Sequence, residues 1–211
     1  MGRFISFEGP EGGGKTTQCD LLARRLEQAG FVVARTREPG GTVIGQELRA
    51  MLLMPERPAP TPIVQALLMS ADRAQHVAEV IRPALTAGRM VVSDRYYDST
   101  LAYQGYGEGV NLASLAALTR FATEGLVPDL TVLVDLDVKV GLDRRRAAFR
   151  AGDGELNRID RRDVAYHERV RRGYLTIARR EPGRFLVVDG LAAPEAIADQ
   201  VWERAAPLLD R

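Results

Sequence analysis

The sequence predicts a three-layer α/β fold, in which a five-stranded parallel sheet carries helices on both faces. Two observations lead to this prediction. Five short apolar runs alternate with segments whose apolar residues recur every three or four positions. A glycine-rich stretch separates the first run from the first helical segment, as in a βα unit that binds phosphate. With 211 residues, 45% of them hydrophobic, we expect a single domain over residues 1–211.

Each predicted strand is a short apolar run, and each predicted helix shows the three-to-four-residue period. Strands are expected at residues 3–7, 31–34, 89–94, 129–135 and 185–189. Helices are expected at residues 17–30, 44–54, 63–87, 112–121, 140–150, 161–180 and 195–209. The proline-rich residues 55–62 are expected to form a loop, and Pro83 is expected to kink the long helix or to start a new turn.

The composition argues against several classes of partner and site. Lys and Arg total 29 and Asp and Glu total 28, a net charge of +1 that gives no support for a nucleic-acid or membrane partner. Cys19 is the only cysteine, and His76 and His167 are isolated, so neither a disulfide nor a zinc site is expected. The chain shows no long uncharged apolar window and runs at once into a core strand. We therefore expect no signal peptide, no membrane span and a cytoplasmic location.

The stretch after the first strand reads G-x-x-x-x-G-K-T, the pattern of a phosphate-binding loop. Glycines let the main chain wrap an anion, and the start of the following helix adds free N–H groups and a partial positive charge. We expect Lys15 to reach the outer phosphates and Thr16 to offer its hydroxyl to Mg²⁺. The predicted ATP-binding residues are Gly9, Pro10, Glu11, Gly12, Gly13, Gly14, Lys15, Thr16 and, farther along the chain, Arg144.

Two other predicted strands end in sequence suited to a ligand, and ligands of open α/β sheets lie beyond the carboxyl ends of strands. Residues 36–42 read T-R-E-P-G-G-T after the second strand. Asp94 and Arg95 end the third, where the carboxylate suits Mg²⁺ and the guanidinium suits a phosphate. Residues 98–109 carry polar side chains that suit a ring or a sugar. A plain connection at 36–42 and a strand-end ion pair at 94–95 remain alternatives.

Missing motifs narrow the class of phosphate-binding-loop protein. The Asn-Lys-x-Asp motif of GTPases is absent, as are the Leu-Ser-Gly-Gly-Gln signature of transporter ATPases and the strand-terminal Asp-Glu pair usual in motor ATPases. A small kinase remains, with a loop for ATP, arginines for a second phosphate and a glycine-broken basic segment at about 144–160. We expect the three-layer P-loop kinase fold, in which this segment closes as a short mobile lid.

Strings along nearly the whole chain resemble bacterial thymidylate kinases. They lie at residues 7–17, 36–42, 71–76, 94–96, 99–105, 128–131 and 157–159. The T-R-E-P-G-G-T string and A-Y-Q-G at 102–105 are specific to that family among nucleotide kinases. The resemblance implies transfer of the γ-phosphoryl group of ATP to dTMP, which gives dTDP on the way to dTTP, with Mg²⁺ as cofactor. It also implies a homodimer, although the apolar positions of residues 63–87 can equally serve the core.

The resemblance assigns side chains to the dTMP site. Arg73 is similar to the residue that hydrogen-bonds thymine, and Thr100 and Gln104 are similar to further base contacts. Tyr103 resembles the side chain that crowds the 2′ position and favours deoxyribose, and Met69 stands where relatives often carry a stacking aromatic. The full expected set of substrate-binding residues is Glu11, Glu38, Arg49, Met69, Arg73, Arg95, Thr100, Tyr103 and Gln104.

Positive charge on the transferred phosphoryl group is expected to come from the lid. In one arrangement found in the family, the phosphate-binding loop carries a basic residue, but residues 10–13 here carry none. The arginines of the lid must then supply the charge on closure, namely Arg144, Arg145, Arg146, Arg150 and Arg158. Arg150 and Arg158 flank the glycine break and can move most. The expected catalytic residues are Lys15, Arg95, Arg150 and Arg158, and the expected metal ligands are Thr16 and Asp94.

Two alternatives stay open at this point. One is a protein of another class, which binds ATP as a switch or assembly factor and has no small acceptor. The other is a kinase with a different acceptor, such as dUMP or a deoxynucleoside.

Overall fold

The computed structural model describes residues 2–153 and 156–209. Its centre is a five-stranded sheet in the order β2-β3-β1-β4-β5, in which every neighbouring pair is parallel. The strands are β1 (Phe4–Glu8), β2 (Val33–Arg37), β3 (Met90–Asp94), β4 (Leu130–Asp135) and β5 (Phe185–Asp189). The predicted parallel sheet is confirmed. Its central strand, β1, leads directly into the glycine-rich loop.

The helices in chain order are α1 (Lys15–Gln28), α2 (Val43–Leu53), α3 (Pro62–His76), α4 (Arg82–Thr86), α5 (Tyr97–Thr100), α6 (Leu112–Thr123), α7 (Val138–Arg150), α8 (Val164–Arg180) and α9 (Pro194–Leu209). Apart from α5, the helices lie close to the predicted periodic segments.

Side chains alternate across the sheet, and each face is covered by helices. On one face, Ile5 and Phe7 of β1 pack in a core with Leu22 of α1 and Ile197 of α9. On the other face, Phe4 belongs to a separate core formed with the region between α3 and α5. The three-layer arrangement that the alternating pattern predicts is therefore confirmed.

Strand β2 lies later in the chain than the sequence indicates, at Val33–Arg37 rather than at 31–34. It is the edge strand beside β3; Val33, Ala34 and Thr36 are partly buried, and Arg35 and Arg37 are exposed. Main-chain hydrogen bonds to β3 define the strand, so the polar residues of this edge do not prevent pairing. A search for apolar runs therefore places the strand too early.

The expected helix over 63–87 is present as one helical stretch of three parts. A π-helical segment, Val77–Ile81, connects α3 to α4, and Pro83 lies in the first turn of α4. Proline has no N–H to donate, and Pro83 falls where the hydrogen-bond pattern changes from π to α, so this change accommodates the missing bond. The expectation that Pro83 starts a new turn fits this arrangement.

Residues 97–107 are helical, which the polar composition of this segment does not predict. The short helix α5 continues into a π-helical segment, Leu101–Gly107. Ala102 and Tyr103 of the latter pack in a core with Tyr166 and Tyr174 of α8. Tertiary packing thus stabilises a helix whose residues have little helix preference. Such π segments occur often at functional sites.

The proposed lid comprises the second half of α7 and the connection to α8. Asp160 is buried in this connection and accepts hydrogen bonds from Arg145 of α7 and from the main-chain N–H of Asn157. Of the two glycines expected to break the basic helix, Gly152 has a φ of 78° just after α7. The other, Gly154, lies with Glu155 outside the described residues.

Within the described part of the chain, none of the helices is both long enough and apolar enough to cross a membrane.

A buried ion pair joins β5 to the start of α5. Arg184 donates from both terminal nitrogens to Asp98, at 2.8 and 3.0 Å, and also to the hydroxyl of Thr131 at 2.7 Å. The Asp98 side chain is fully buried, and burial raises its pKa while Arg184 opposes the rise. A buried charge is costly without its partner, so this pair holds α5 against the sheet.

We expect Arg184→Met to destabilise the protein by about 3–5 kcal/mol, because it leaves the Asp98 carboxylate buried without its charged partner. Urea unfolding followed by circular dichroism measures the change. The matched control is Arg146→Met, which removes an arginine from an exposed pair with Asp143 and should cost less than about 1 kcal/mol. Equal losses in the two variants would contradict the assignment.

Candidate active site

The glycine-rich loop lies where the sheet reverses its strand order. The chain leaves the carboxyl end of β1, which has β3 on one side and β4 on the other, and enters α1. This is the position at which open α/β sheets bind ligands. Gly12 has a φ of 71°, and a Cβ there would lie 2.2 Å from the carbonyl oxygen of Gly141 in α7. The loop therefore requires glycine at this position for both conformation and space.

Lys15 begins α1 and is held inside the loop. Its Nζ donates to the carbonyl oxygens of Gly9 at 3.1 Å and of Pro10 at 2.7 Å. Burial lowers the pKa of Lys15, and the charge of Arg95 acts in the same direction, while Glu11 raises it. The ammonium group therefore lies preorganised among main-chain atoms of the loop, as a phosphate site requires.

Thr16 and Asp94 meet at the carboxyl ends of β1 and β3. The hydroxyl of Thr16 donates to a carboxylate oxygen of Asp94 at 2.6 Å, so the two predicted metal ligands are adjacent. Among the described residues, no group of three or more His, Cys, Asp or Glu side chains is placed to hold a metal ion. A hydroxyl and one carboxylate still fit Mg²⁺ in a nucleotide site, since there the ion takes its remaining ligands from phosphates and water.

A cavity of about 810 Å³ extends from the loop to the lid. It is bounded by the glycine-rich loop, the loop after β2, helices α2 and α3, the segment after β3, and the lid. Predicted site residues that line it are Glu11, Gly12, Gly14, Lys15, Thr16, Glu38, Arg49, Met69, Asp94, Arg95, Tyr103, Gln104 and Arg144. One cavity therefore collects residues that are dispersed along the chain.

Arg95 connects the glycine-rich loop to the segment after β3. It donates to both carboxylate oxygens of Glu11 at 3.1 and 3.0 Å and to the hydroxyl of Tyr103 at 2.9 Å. Burial alone would raise the pKa of Glu11, but the charges of Arg95 and Lys15 lower it to about 2. Arg95 itself has a φ of 75°, a conformation that costs a side-chain-bearing residue on the order of 1–3 kcal/mol and persists where surrounding contacts fix it.

Glu8, the last residue of β1, fixes the main chain after Arg95. Its fully buried carboxylate accepts hydrogen bonds from the N–H of Tyr96 at 2.8 Å, the hydroxyl of Ser99 at 2.7 Å and the hydroxyl of Tyr174 at 2.9 Å. Burial, together with the charge of Asp98, raises the pKa of Glu8 to about 7. Glu8 therefore positions Arg95 through the backbone.

A second buried cluster lies under the loop after β2. Arg73 is fully buried; it donates through Nε to Glu38 at 2.8 Å, through Nη1 to the hydroxyl of Thr100 at 3.1 Å and through Nη2 to the carbonyl oxygen of Tyr96 at 3.2 Å. His76 contacts the other carboxylate oxygen of Glu38 through Nδ1 at 2.9 Å. The cluster joins α3 to the segments that follow β2 and β3.

Three guanidinium groups converge at the same end of the cavity. Burial lowers the pKa of Arg49, and the charges of Arg37 and Arg95 lower it further. All three side chains line the cavity. The three positive charges repel one another, and a bound anion relieves this repulsion. The arrangement therefore favours the binding of a phosphate group.

The comparisons with known proteins give one consistent result. The thymidylate kinase family profile matches residues 7–201. The chain is 51% identical to a thymidylate kinase of Thermomicrobium roseum, over 100% of this chain and 98% of that relative. It is 50% identical to a thymidylate kinase of Solidesulfovibrio magneticus, over 98% of this chain and 100% of that relative. The chain belongs to the thymidylate kinase family.

A solved structure agrees with this assignment. The crystal structure of thymidylate kinase from Ehrlichia chaffeensis is 32% identical to this chain, with a TM-score of 0.72, and the similarity covers 89% of this chain and 92% of that one. The predicted family and fold class are therefore confirmed.

The structure places the lid arginines of this family member in different environments. Arg144 lines the cavity and donates to the carbonyl oxygen of Gly190 at 3.1 Å. Arg158 instead donates to carbonyl oxygens just beyond α2, those of Met54 at 2.7 Å and Arg57 at 2.5 Å. Arg150 is exposed at the end of α7 and does not line the cavity. The catalytic roles expected for Arg150 and Arg158 stay predictions.

Two residues expected to contact the base, Arg73 and Thr100, lie just beneath the cavity instead of on its surface. Three of the five guanidinium donors of Arg73 are engaged with protein acceptors. A contact with a base would use the donors that remain on Nη1 and Nη2. The expected role of Arg73 also stays a prediction.

Other side chains of the site were given no individual role from the sequence, although Arg37 lies in the predicted loop at 36–42 and Arg145 is one of the lid arginines expected to supply charge. Arg37 and Arg145 line the cavity, and Glu8 and Gln65 hold other residues of the site in place. Arg37 ends β2, and its strand-end position was the available signal. The sequence carries no such signal for Glu8 and Gln65, because their hydrogen bonds within the site are to partners distant in sequence.

We expect Lys15→Ala to lower kcat by about 10²–10³-fold, because the ammonium group stabilises charge on the transferred phosphoryl group. Steady-state kinetics measures the loss, and thermal unfolding checks that the fold is kept. The chain provides its own control in Lys139, its other lysine, which is exposed in the first turn of α7. Lys139→Ala should leave kcat unchanged; a similar loss in both variants would contradict the role of Lys15.

Proposed function

We propose that this chain transfers the γ-phosphoryl group of ATP to dTMP, using the cavity residues in the roles set out below. The activity follows from membership of the family: the chain is a dTMP kinase, and its product is dTDP. The observation that supports the residue roles best is the single cavity that joins the glycine-rich loop to the cluster of Arg37, Arg49 and Arg95.

The donor nucleotide binds at the glycine-rich loop. Main-chain N–H groups of residues 9–16 and the start of α1 surround its phosphates, and Lys15 neutralises the outer ones. Mg²⁺ would be held by Thr16 and Asp94 and would supply positive charge to the phosphate oxygens. The hydrogen bond between these two side chains supports their assignment to one ion site.

The acceptor binds on the side of the cavity between α3 and the π segment after α5. Arg95 and Arg49 hold its phosphate, and Glu11 keeps the guanidinium of Arg95 oriented through two hydrogen bonds. Met69 and Gln104, on facing walls, contact the base. The hydroxyl of Tyr103 donates to Glu11 at 2.7 Å, which fixes its ring beside the sugar.

The lid supplies the charge that the glycine-rich loop lacks. Arg144 and Arg145 both line the cavity from α7, and the contact of Arg145 with Asp160 ties α7 to the rest of the lid. In this assignment the arginines of α7 stabilise the transferred group, and lid closure excludes water.

A panel assay tests the function. ADP release is coupled to NADH oxidation with dTMP, dUMP, dCMP and dGMP as acceptors, and with deoxythymidine as a nucleoside. Fast turnover with dTMP, and slow turnover with the others, supports the proposal. ATP hydrolysis that needs no acceptor would favour a switch or assembly factor, and preference for another acceptor would favour the other kinase class.

The proposed role of the lid predicts different effects on kcat for substitutions at different arginines. We expect Arg145→Ala to lower kcat by about tenfold to a hundredfold with a small change in KM, because its charge meets the phosphoryl group only in the closed state. Arg158→Ala tests the catalytic role expected from the sequence. The exposed Arg179 of α8 is the control, and Arg179→Ala should leave kcat unchanged. If Arg158→Ala alone lowers kcat, the decisive charge comes from the far side of the lid.

We propose a homodimer formed through α2, α3 and α6. These helices pack together and expose large apolar side chains, among them Ile63 and Leu67 of α3 and Phe121 of α6, which is 83% exposed. Exposed apolar surface of this kind is typical of an interface. No nucleic-acid or membrane partner is proposed, and the expected cytoplasmic location stays a prediction.

We expect the double variant Leu67→Glu, Phe121→Glu to sediment as a monomer where the unaltered protein sediments as a dimer, because it places charge in the apolar surface. Analytical ultracentrifugation at micromolar concentration measures this. The control is Val32→Glu, at an exposed apolar position before β2, which should leave the mass unchanged. An unaltered protein that is itself monomeric would refute the proposal.

A further inference from the structure

Two buried glutamines form a chain of hydrogen bonds along the wall of the acceptor cavity. Gln65, in the first turn of α3, donates through Nε2 to the main-chain carbonyl oxygen of Pro60 at 3.0 Å. Its Oε1 accepts from Nε2 of Gln104 at 3.3 Å. Both side chains are more than nine-tenths buried, and both line the cavity.

The direction of this chain is fixed at one end. A carbonyl oxygen can only accept a hydrogen bond, so the nitrogen of the Gln65 amide must face Pro60 and its oxygen must face Gln104. Gln104 must then turn its nitrogen toward Gln65. Its own oxygen, Oε1, is left to meet a ligand. Without Gln65, the amide of Gln104 can present either group, since its two ends have nearly the same shape.

The orientation has a consequence for base selection. Thymine and uracil carry an N–H at N3, which donates to an acceptor, whereas cytosine carries a lone pair at N3. An oxygen presented by Gln104 accepts from the N3–H of thymine and repels N3 of cytosine. A site whose polar groups match one base and leave the other unpaired discriminates strongly between them.

We propose that Gln65 is a positioning residue that selects for an N3–H base by fixing the orientation of the Gln104 amide. The inference rests on the proposed contact of Gln104 with the base. Gln65 itself acts through Gln104 and through its anchor at Pro60. Its closest matched control is Gln75, on the same helix, which is partly exposed and bonds to Glu79.

The test compares kcat and KM for dTMP, dUMP and dCMP in Gln65→Met, Gln104→Met and the double variant. We expect Gln65→Met to raise KM for dTMP about tenfold, the effect of losing one oriented hydrogen bond, with little change in kcat or in KM for ATP. The ratio of kcat/KM for dTMP to that for dCMP should fall by a similar factor. Because Gln65 acts through Gln104, the double variant should match Gln104→Met alone.

Two further variants separate positioning from packing. Gln65→Glu keeps an acceptor for Gln104, loses the donor to Pro60 and places a buried carboxylate oxygen against that carbonyl, so it should retain the selectivity for dTMP over dCMP while its melting temperature falls. Gln75→Met should change neither KM nor selectivity. Thermal unfolding of every variant shows whether the fold is kept.

Each outcome decides the inference. If the effects of Gln65→Met and Gln104→Met on KM and selectivity multiply in the double variant, Gln65 does not act by orienting Gln104. The same conclusion follows if Gln65→Glu loses selectivity as fully as Gln65→Met. If Gln104→Met impairs dTMP binding and Gln65→Met does not, the inference fails while the proposed site stands. If Gln104→Met itself leaves KM and selectivity unchanged, the proposed base contact is wrong and the inference falls with it.

Discussion

The site depends on a buried carboxylate at the end of the central strand. Glu8 collects the N–H of Tyr96 and the hydroxyls of Ser99 and Tyr174, and so joins β1, the start of α5 and α8 at one point. Arg95, held at a positive φ by these contacts, reaches back to the glycine-rich loop and to Glu11. A buried acceptor of this kind is costly unless every donor is in place, which fixes the geometry around it.

The two halves of the reaction meet because of the sheet order. The glycine-rich loop follows β1, the arginines proposed to hold the acceptor phosphate follow β2 and β3, and these strands are neighbours in the sheet. All three strands end at the same edge because they are parallel. This side of the cavity is closed by α3, whose buried Arg73 binds Glu38 in the loop after β2 and Thr100 at the end of α5. In the proposed site, the sheet therefore places the residues for the phosphoryl donor and acceptor, and α3 places those for the base.

Particular elements show how far the sequence leads. The loop at 9–16, the strand end at Asp94 and Arg95, and strands β1, β3, β4 and β5 follow local patterns and are present close to where they were predicted. Strand β2 was placed too early, because an edge strand needs no apolar run. The helix after Tyr96 was missed, because packing against α8 stabilises a helix of polar composition. Of the lid arginines expected to supply charge, Arg144 and Arg145 face the cavity, and the roles of Arg150 and Arg158 stay predictions. Which arginines of α7 face the cavity depends on the turn of the helix, and the number of charges in a segment does not reveal it.

By itself, the sequence determined the fold class, the family and the phosphate-binding loop, because each depends on residues close together in the chain. Spacing and residue type suffice there, since a turn or a helix start is a local structure. Only the tertiary structure shows the long-range contacts of Glu8, Gln65 and Arg145. Arg145 meets Asp160 15 positions away, Gln65 meets Gln104 39 positions away, and Glu8 meets Tyr174 166 positions away. A hydrogen bond needs its two groups within about 3 Å, and no local pattern records which distant side chains the folded chain brings that close.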